Sequence, residues 1–433
     1  MKSAKLKFLE TVLRLMASLV LKRHKPIIVG ITGSVGKTSA KEAVYCVLSE
    51  KFNVRRNEKN YNNEIGIPLT IIGAESGGKS FLKWIGVFLK WICVVIFDFK
   101  YPEILVIELG VDRPGDMQYL TSFIHPTIGI VTNISSSHIE FFGEIEKISK
   151  EKGFLIENLL KGGTAILNAD DENVLQMQKR TANKIIFYGF SDNADIRAER
   201  VGYNYNDNQK PEGISFKLNY EGRSIPVRLR NILAPYQIYS ALSAIAVGIV
   251  FKMNLVEASV ALEKLHSPCG RMNLIDGIKN TYIIDDTYNA SPLSTGAALD
   301  VMGVIGAKRR IVVLGDMLEL GNETEKGHRQ VGGKIFEIKA DVFVAVGRRM
   351  NFAVKKLISL GYLEKNIFVF ENPEIAVEKV RKILEEGDIV LVKGSQGMRM
   401  EKIVEGIMAD PNQAENVLCR QNREWKKKPF IIP

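Results

Sequence analysis

The stretch Pro26–Thr32 (PIIVGIT) is apolar and β-branched, and it runs straight into Gly33-Ser34-Val35-Gly36-Lys37-Thr38-Ser39 and then a helical pattern over Ser39–Lys51. A buried strand that must turn within a few residues into a helix leaves few architectures open: this is the first βα unit of a parallel sheet covered by helices. The glycines let backbone N–H groups turn toward an anion, and the helix N-terminus adds its positive end. Lys37 is placed to reach outer phosphates and the Thr38 hydroxyl to ligate Mg²⁺. The general phosphate-loop pattern would place a glycine at position 31, where this chain has Ile31, so the loop is the shorter form TGxxGK[ST]. Gly33, Ser34, Val35, Gly36, Lys37, Thr38 and Ser39 are therefore the expected ATP-binding residues.

The alternation continues downstream. Ile104–Leu109, Ile128–Thr132 and Thr164–Leu167 read as further strands, residues 185–230 alternate with period two and predict an antiparallel appendage, and Gln237–Leu265 reads as helical. Ser267-Pro268-Cys269-Gly270 is the natural hinge. Beyond it Tyr282–Ile284, Arg310–Leu314, Val342–Val346, Ile367–Phe370 and Ile389–Val392 predict a second parallel sheet. The predicted fold is α/β: a P-loop domain over 26–266 with a mostly parallel sheet, a Rossmann-like α/β domain over 267–433 ending in a basic tail, and a basic amphipathic helix over 1–25. A chain of 433 residues is long enough for two such cores.

Charge narrows the partners. The net charge is +10, of which residues 1–25 carry +6 and residues 417–433 carry +4, leaving the body neutral. A nucleic-acid binder would place its basic patch on the folded body, so that class is excluded. The first segment sets Leu6, Leu9, Leu13, Met16 and Val20 at helical spacing beside a basic rim. Arg14 interrupts the apolar run and no small-residue cleavage site follows, which argues against a signal peptide. Phe81–Phe97 is a second apolar segment, too short and too charged, with Lys83 and Lys90, to span a bilayer. Both fit either helices packed on the protein or helices lying on a membrane surface. Four scattered cysteines without a CxxC pair suggest neither zinc nor disulfides and point to a reducing, cytoplasmic compartment.

Other residues stand where α/β sites form, at strand ends. Glu108 ends the strand ILVIEL and is placed to hold Mg²⁺. His138 follows another strand on a serine-rich loop. Lys152, flanked by Lys147, Lys150 and Glu151, reads by itself as part of a solvated charged face. The second domain offers Arg271, the run Asp285-Asp286-Thr287-Tyr288-Asn289-Ala290 and Lys393-Gly394-Ser395.

In order along the chain, TGSVGKTS, NYNNEIGIPLT, VIELG, NISSSHIEFFG, LNADD, GRM, DDTYNASP, GDMLELG with His328, and LVKGS resemble the Mur ligases, over about residues 25–405. GDMLELG and DDTYNASP most resemble the members that add D-alanyl-D-alanine to a muramoyl tripeptide in peptidoglycan precursor synthesis. The resemblance implies an ATP-dependent amide-bond ligase working through an acyl phosphate, with ATP and two Mg²⁺ ions. It implies catalytic roles for Lys37, Lys152 and His138, metal ligation by Thr38, Glu108 and His138, and carbamylation of Lys152 as a bridge to the second metal. Arg271 and Asp286 are implied to reach ATP; Asn62, Asn63, Asn289 and Lys393 are expected on the substrate side. The expected enzyme is a monomer acting on small muramoyl-peptide and D-Ala-D-Ala substrates, with peripheral membrane contact through its basic ends at the inner face. The family's His-Asn pair at one helix start is Tyr236-Gln237 here. Related ligases carry a separate N-terminal domain for the UDP-sugar, while about 25 residues precede the first strand here, so UDP recognition is expected to be absent, rebuilt or supplied by a partner. Two alternatives accompany this reading: a related ligase for another carboxylate and amine, of folylpolyglutamate or poly-glutamate type, and a membrane-surface P-loop ATPase.

Overall fold

The computed structural model describes residues 4–58, 61–97, 100–135, 142–207 and 210–431. Two compact units divide the chain: residues 1–201, 216–228 and 236–265 form the first, and 202–215, 229–235 and 266–433 the second.

The first unit is built around strands β1 (Ile27–Thr32), β2 (Val54–Arg56), β3 (Ile104–Glu108), β4 (Ile128–Val131), β5 (Thr164–Asn168) and β6 (Lys184–Gly189). With β7 (Ile196–Tyr205), β8 (Pro211–Tyr220) and β9 (Arg223–Arg230), the sheet order is β2-β3-β1-β4-β5-β6-β7-β8-β9. All pairings from β2 to β7 are parallel. β6, expected in an antiparallel appendage, instead pairs parallel with β5, Thr164 opposite Lys184, because β5 leaves an open parallel edge beside it. The antiparallel part lies farther along and includes β8 and β9, which the two-residue turn Glu221–Gly222 can join only as a hairpin. β1, β3 and β4 are buried on both faces, which is why their sequences are continuous apolar runs rather than alternating ones. Gln237–Leu265 is two helices, Ile238–Val250 and Leu255–Leu262, the second started by a capping box between Asn254 and Glu257.

The first four helices of the chain belong to this unit. α1 (Ala4–His24) packs Leu13, Met16, Ala17 and Val20 into the core shared with α3 (Gly66–Ile72), while α2 (Lys37–Leu48) follows β1. α4 (Phe81–Ile96) is capped by Ser80 and lies against α1, where the Trp91 indole donates to the Met16 carbonyl at 3.0 Å. No helix among the described residues is long and apolar enough to cross a membrane.

The second unit has the sheet order β10-β11-β15-β12-β13-β14: β10 (Asn273–Gly277), β11 (Thr281–Asp286), β12 (Arg309–Gly315), β13 (Val342–Val346), β14 (Ile367–Phe370) and β15 (Asp388–Lys393). All pairs are parallel except β10 with β11. β10 carries a mixed sequence with little apolar alternation, which is why only its partners are legible as strands. The last residues of DDTYNASP start a helix: Ser291 caps Pro292–Val304, and Pro292 occupies its first turn, where a missing N–H costs nothing. At the C-terminal end, Arg420 is not a free basic tail residue. Its guanidinium pairs with Glu401 at 2.7 Å and donates to the Tyr288 carbonyl, and Glu401 also holds Arg399 at 2.6 Å.

Candidate active site

In the first sheet β1 stands between β3 and β4, so the connection leaving β1 runs one way to β2 and the connection leaving β4 runs the other way to β5. The crevice at the carboxyl ends of β1 and β4 is therefore a topological switch point, the place where open α/β sheets bind ligands. The loop 33–38 lies there.

That loop is fastened to the segment after β4. The Ser34 amide donates to the Asn133 carbonyl at 2.8 Å, the Val35 amide to the Asn133 side chain at 2.7 Å, and the Thr132 hydroxyl to the Val35 carbonyl at 2.6 Å. Thr132 leaves no room at position 33: a Cβ on Gly33 would sit 1.9 Å from its Oγ1, and the backbone there has φ +149°. Gly36 takes φ 82° and opens α2 without a side-chain cap, so the first N–H groups of α2 face the loop and suit phosphate oxygens. The Lys37 ammonium lies back over the loop, donating to the Gly33 and Ser34 carbonyls at 2.8 and 3.1 Å. Ser34, Thr38 and Ser39 all fall within this loop and first turn, as expected from sequence.

Across the crevice, the Thr38 hydroxyl donates to Glu108 Oε2 at 2.9 Å, and the Asn62 amide donates to Glu108 Oε1 at 3.1 Å. Glu108 is buried, at the end of β3 beside β1, with Ile31 opposite it. A buried carboxylate needs cationic company, and Lys41, one turn into α2, supplies it at 3.9 Å while donating to the Asn57 carbonyl at 2.7 Å. Asn57 in turn accepts from the Glu108 amide at 2.8 Å and donates to its carbonyl at 3.1 Å. Sequence reasoning missed Lys41 and Asn57. The signal for Lys41 was its spacing of four from Lys37, which puts both on one helix face.

An Mg²⁺ ion takes oxygen ligands, commonly one or two carboxylates plus substrate phosphates. The Thr38 hydroxyl and the Glu108 carboxylate, hydrogen-bonded to each other beside the phosphate loop, are such a donor set. Among the described residues no group of three or more His, Cys, Asp or Glu side chains gathers elsewhere as a metal site. His138 lies outside the described residues.

Lys152 departs from the solvated face its neighbours suggest. It lies in the middle of the helix Ile145–Glu157 at 2% exposure, and burial together with the nearby Lys37 charge lowers its amine to about 7. A helix buries one side, and Lys152 falls in the same inward set as Ile148 and Leu155 while Lys147 and Lys150 point out.

Asn63 serves the backbone: its side chain accepts from the Gly66 amide at 3.0 Å at the start of α3. The segment after β5 also acts as a brace. Asn168 donates to the Thr132 carbonyl, Asp171 accepts from the Ile134 amide, and Asp170 accepts from the Phe190 and Ser191 amides and the Tyr239 hydroxyl.

The remaining expected residues belong to the second unit, at the carboxyl ends of β11 and β15. Asp286 and Lys393, opposite each other in register, form a buried ion pair of 2.5 Å, and the same ammonium donates to the Asn289 carbonyl at 2.9 Å. Asn289 accepts from the Ala290 amide with its side chain. Residues expected on nucleotide and substrate sides are thus one latch. Arg271 lies over the Tyr288 ring, 4.4 Å from its centroid. Asp285 is fully buried; burial pushes its carboxyl up to about 6 against the pull of the Thr287 hydroxyl and amide on Oδ1. His328, also buried, accepts from the Met317 amide at 3.1 Å and contacts the Thr324 carbonyl at 2.6 Å; burial lowers it below the ordinary imidazole value, keeping it neutral.

A phosphate loop at the switch point of one parallel sheet, with a buried carboxylate on the neighbouring strand and a second parallel α/β unit in the same chain, defines a two-unit P-loop nucleotide-binding protein. The Mur ligase middle domain matches residues 93–248 and the Mur ligase, glutamate ligase domain matches residues 270–396. The chain belongs to the Mur ligase family.

It is 28% identical over 406 residues to the UDP-N-acetylmuramoyl-tripeptide–D-alanyl-D-alanine ligase of Bacillus subtilis, covering 93% of this chain and 80% of that one. Among solved structures, MurF from Thermotoga maritima in complex with ADP superposes with a TM-score of 0.74 at 24% identity, over 92% of this chain and 83% of that one. A MurF crystal structure from Acinetobacter baumannii gives 0.76 at 23% identity, over 91% and 79%. At these identities the two structures establish the fold.

Proposed function

We infer that this chain is an ATP-dependent peptide ligase of peptidoglycan precursor synthesis, joining D-alanyl-D-alanine to a muramoyl tripeptide. The observation that carries the reading is the Thr38–Glu108 pair beside the phosphate loop, in a chain whose curated relatives over nine-tenths of its length are named for that reaction. In the first step the tripeptide carboxylate attacks the γ-phosphorus of ATP, the bond from that phosphorus to the β–γ bridging oxygen breaks, and ADP leaves an acyl phosphate. The acceptor amine then attacks the acyl carbon, loses a proton, and the tetrahedral intermediate expels inorganic phosphate.

Within this reading the N–H groups of residues 33–38 and the Lys37 ammonium hold the transferring phosphates and offset their charge, the largest kind of catalytic contribution in phosphoryl transfer. Mg²⁺ bound by Thr38 and Glu108 would neutralise charge on the phosphate oxygens. Lys152 is held close to neutrality, and the neutral amine is the form that adds CO₂, which supports a carbamate at this position and a second ion beside it. Asn62 orients the Glu108 carboxylate. The Asp286–Lys393 latch fixes the DDTYNASP loop, with Arg271 as the residue presented to nucleotide and Asn289 toward substrate. His138 is retained as a metal ligand on the family resemblance. The enzyme is read as a monomer of the cytoplasm.

The test is ADP release from the full chain offered the UDP-muramoyl tripeptide or a lipid-linked muramoyl peptide, each with and without D-Ala-D-Ala. Release that requires both partners, with Lys37→Ala losing ADP release and amide formation together, is expected. Hydrolysis that no combination of peptide and amine stimulates would overturn the ligase reading, and stimulation by a different carboxylate and amine would move it to a related ligase.

A further inference from the structure

We propose that the outer face of α1 and α4 docks this protein on an anionic lipid bilayer. α4 is 16 residues long, yet only Val87 and Val94 are fully buried, with Trp84 and Trp91 partly covered on the same stripe. Phe81 and Leu82 are each 78% exposed, and Ile85, Phe88, Leu89, Ile96 and Phe97 are also exposed. On α1, Phe8, Leu15 and Leu19 stand out to solvent at a spacing of seven and four residues, one continuous helical stripe opposite the buried Leu13, Met16, Ala17 and Val20. Single exposed apolar residues need no account, but a helix pair with ten of them marks an interaction surface.

Charge selects the occupant. Residues 4–25 hold Lys5, Lys7, Arg14, Lys22, Arg23 and Lys25 against Glu10, and residues 76–97 hold Lys79, Lys83 and Lys90 with no acidic residue. A second copy presenting the same face would bring like charges together. Anionic headgroups instead attract Lys and Arg at the rim, while Phe, Leu and Ile enter the acyl boundary. Sixteen helical residues span about 24 Å, short of a hydrocarbon core of about 30 Å, so α4 lies in the interface rather than across it. The helices are held as one layer for this: besides the Trp91–Met16 bond, the His24 ring contacts the Val94 carbonyl at 2.8 Å and stacks on Tyr101. Of the contact expected from both basic ends, the proposal takes the N-terminal one, where charge and exposed apolar residues coincide; at the other end Arg420 is committed to Glu401 and Lys426 lies 3.6 Å from Glu415.

Flotation of the full chain with vesicles of phosphatidylglycerol and phosphatidylcholine in equal parts, or of phosphatidylcholine alone, tests this. The wild type is expected to float with the anionic vesicles and to release at high salt. Phe81→Ser/Leu82→Ser/Phe88→Ser/Leu89→Ser should lose roughly a hundredfold or more in partitioning, whereas Lys426→Ala/Lys427→Ala should bind as the wild type does. Should the quadruple variant misfold, Lys83→Glu/Lys90→Glu tests the same face through charge and should also release. Failure of the wild type to float, equal flotation of the α4 variants, or a wild-type dimer that these variants split while vesicles capture neither, would each overturn the proposal.

Discussion

Thr38 and Glu108 lie 70 residues apart in the chain and share a hydrogen bond of 2.9 Å, because parallel pairing of β1 with β3 sets Ile31 beside Glu108 and the loop after β1 folds back over it. The bond makes the metal role of Glu108 testable. Glu108→Gln keeps the shape and an acceptor for Thr38 but removes the charge. ADP release should fall by about 10²–10³-fold and the Mg²⁺ concentration needed for half-maximal rate should rise, both read below the melting temperature of the variant, which falls because buried Lys41 loses a counter-charge. An unchanged Mg²⁺ requirement would remove Glu108 from the metal site.

Lys152 is expected to carry CO₂. In ¹³C-bicarbonate the wild type should show a carbamate carbon resonance that Lys152→Met lacks, and the variant should lose about a hundredfold or more in rate. Because Met fills the buried position without a charge to desolvate, the variant should melt no lower than the wild type. A wild-type spectrum without the signal would retire the bridging role.

The contact between position 33 and Thr132 predicts a coupled pair. Gly33→Ala places a methyl 1.9 Å from Thr132 Oγ1, so nucleotide affinity, read by calorimetric titration with ADP, should drop at least about tenfold, or about 1.4 kcal/mol. Gly33→Ala/Thr132→Ala should recover part of that loss. The backbone strain at φ +149° remains, so recovery stays incomplete. No recovery would mean that strain, not the clash, controls the loop.

Asp285 predicts a pH effect. Its carboxyl is raised to about 6 by burial, above the ordinary value of about 3.9. A raised carboxyl contributes stability that is fully present below about pH 3.9 and lost as pH rises through about 6. Asp285→Asn keeps the acceptor for Thr287 and does not ionise. The variant should therefore gain about 2–3 kcal/mol on the wild type between pH 4 and pH 7, measured as the difference in their urea unfolding curves at each pH. A difference that stays flat with pH would contradict the burial argument.

The fold class and the nucleotide loop were legible in the chain itself because both depend on neighbours in sequence. A strand buried on two faces must be a continuous apolar run, and a strand-to-helix turn over an anion must use glycine and place Lys37-Thr38 at the helix start. Glu108 was legible for the same reason, as a charge closing an apolar strand. β10 was not, since its partner β11 rather than its own pattern makes it a strand.

What only tertiary structure decided concerns which side of an element faces inward and which charges find each other. Lys152 sits among Lys147, Lys150 and Glu151 in sequence, yet the packing of its helix buries it, with Glu151 beside it, while Lys147 and Lys150 stay outside, and so sets its amine near 7. Lys41 and Asn57, ordinary in sequence, become the supports of Glu108, and Asp286 and Lys393, 107 residues apart, become one latch. Exposure is equally a property of the whole: the apolar run of α4 fits a packed helix or a surface one until the fold leaves its outer face uncovered. Local pattern fixes backbone geometry, whereas burial and pairing are set by the neighbours that long-range contacts bring, and the chemistry of a side chain follows from those.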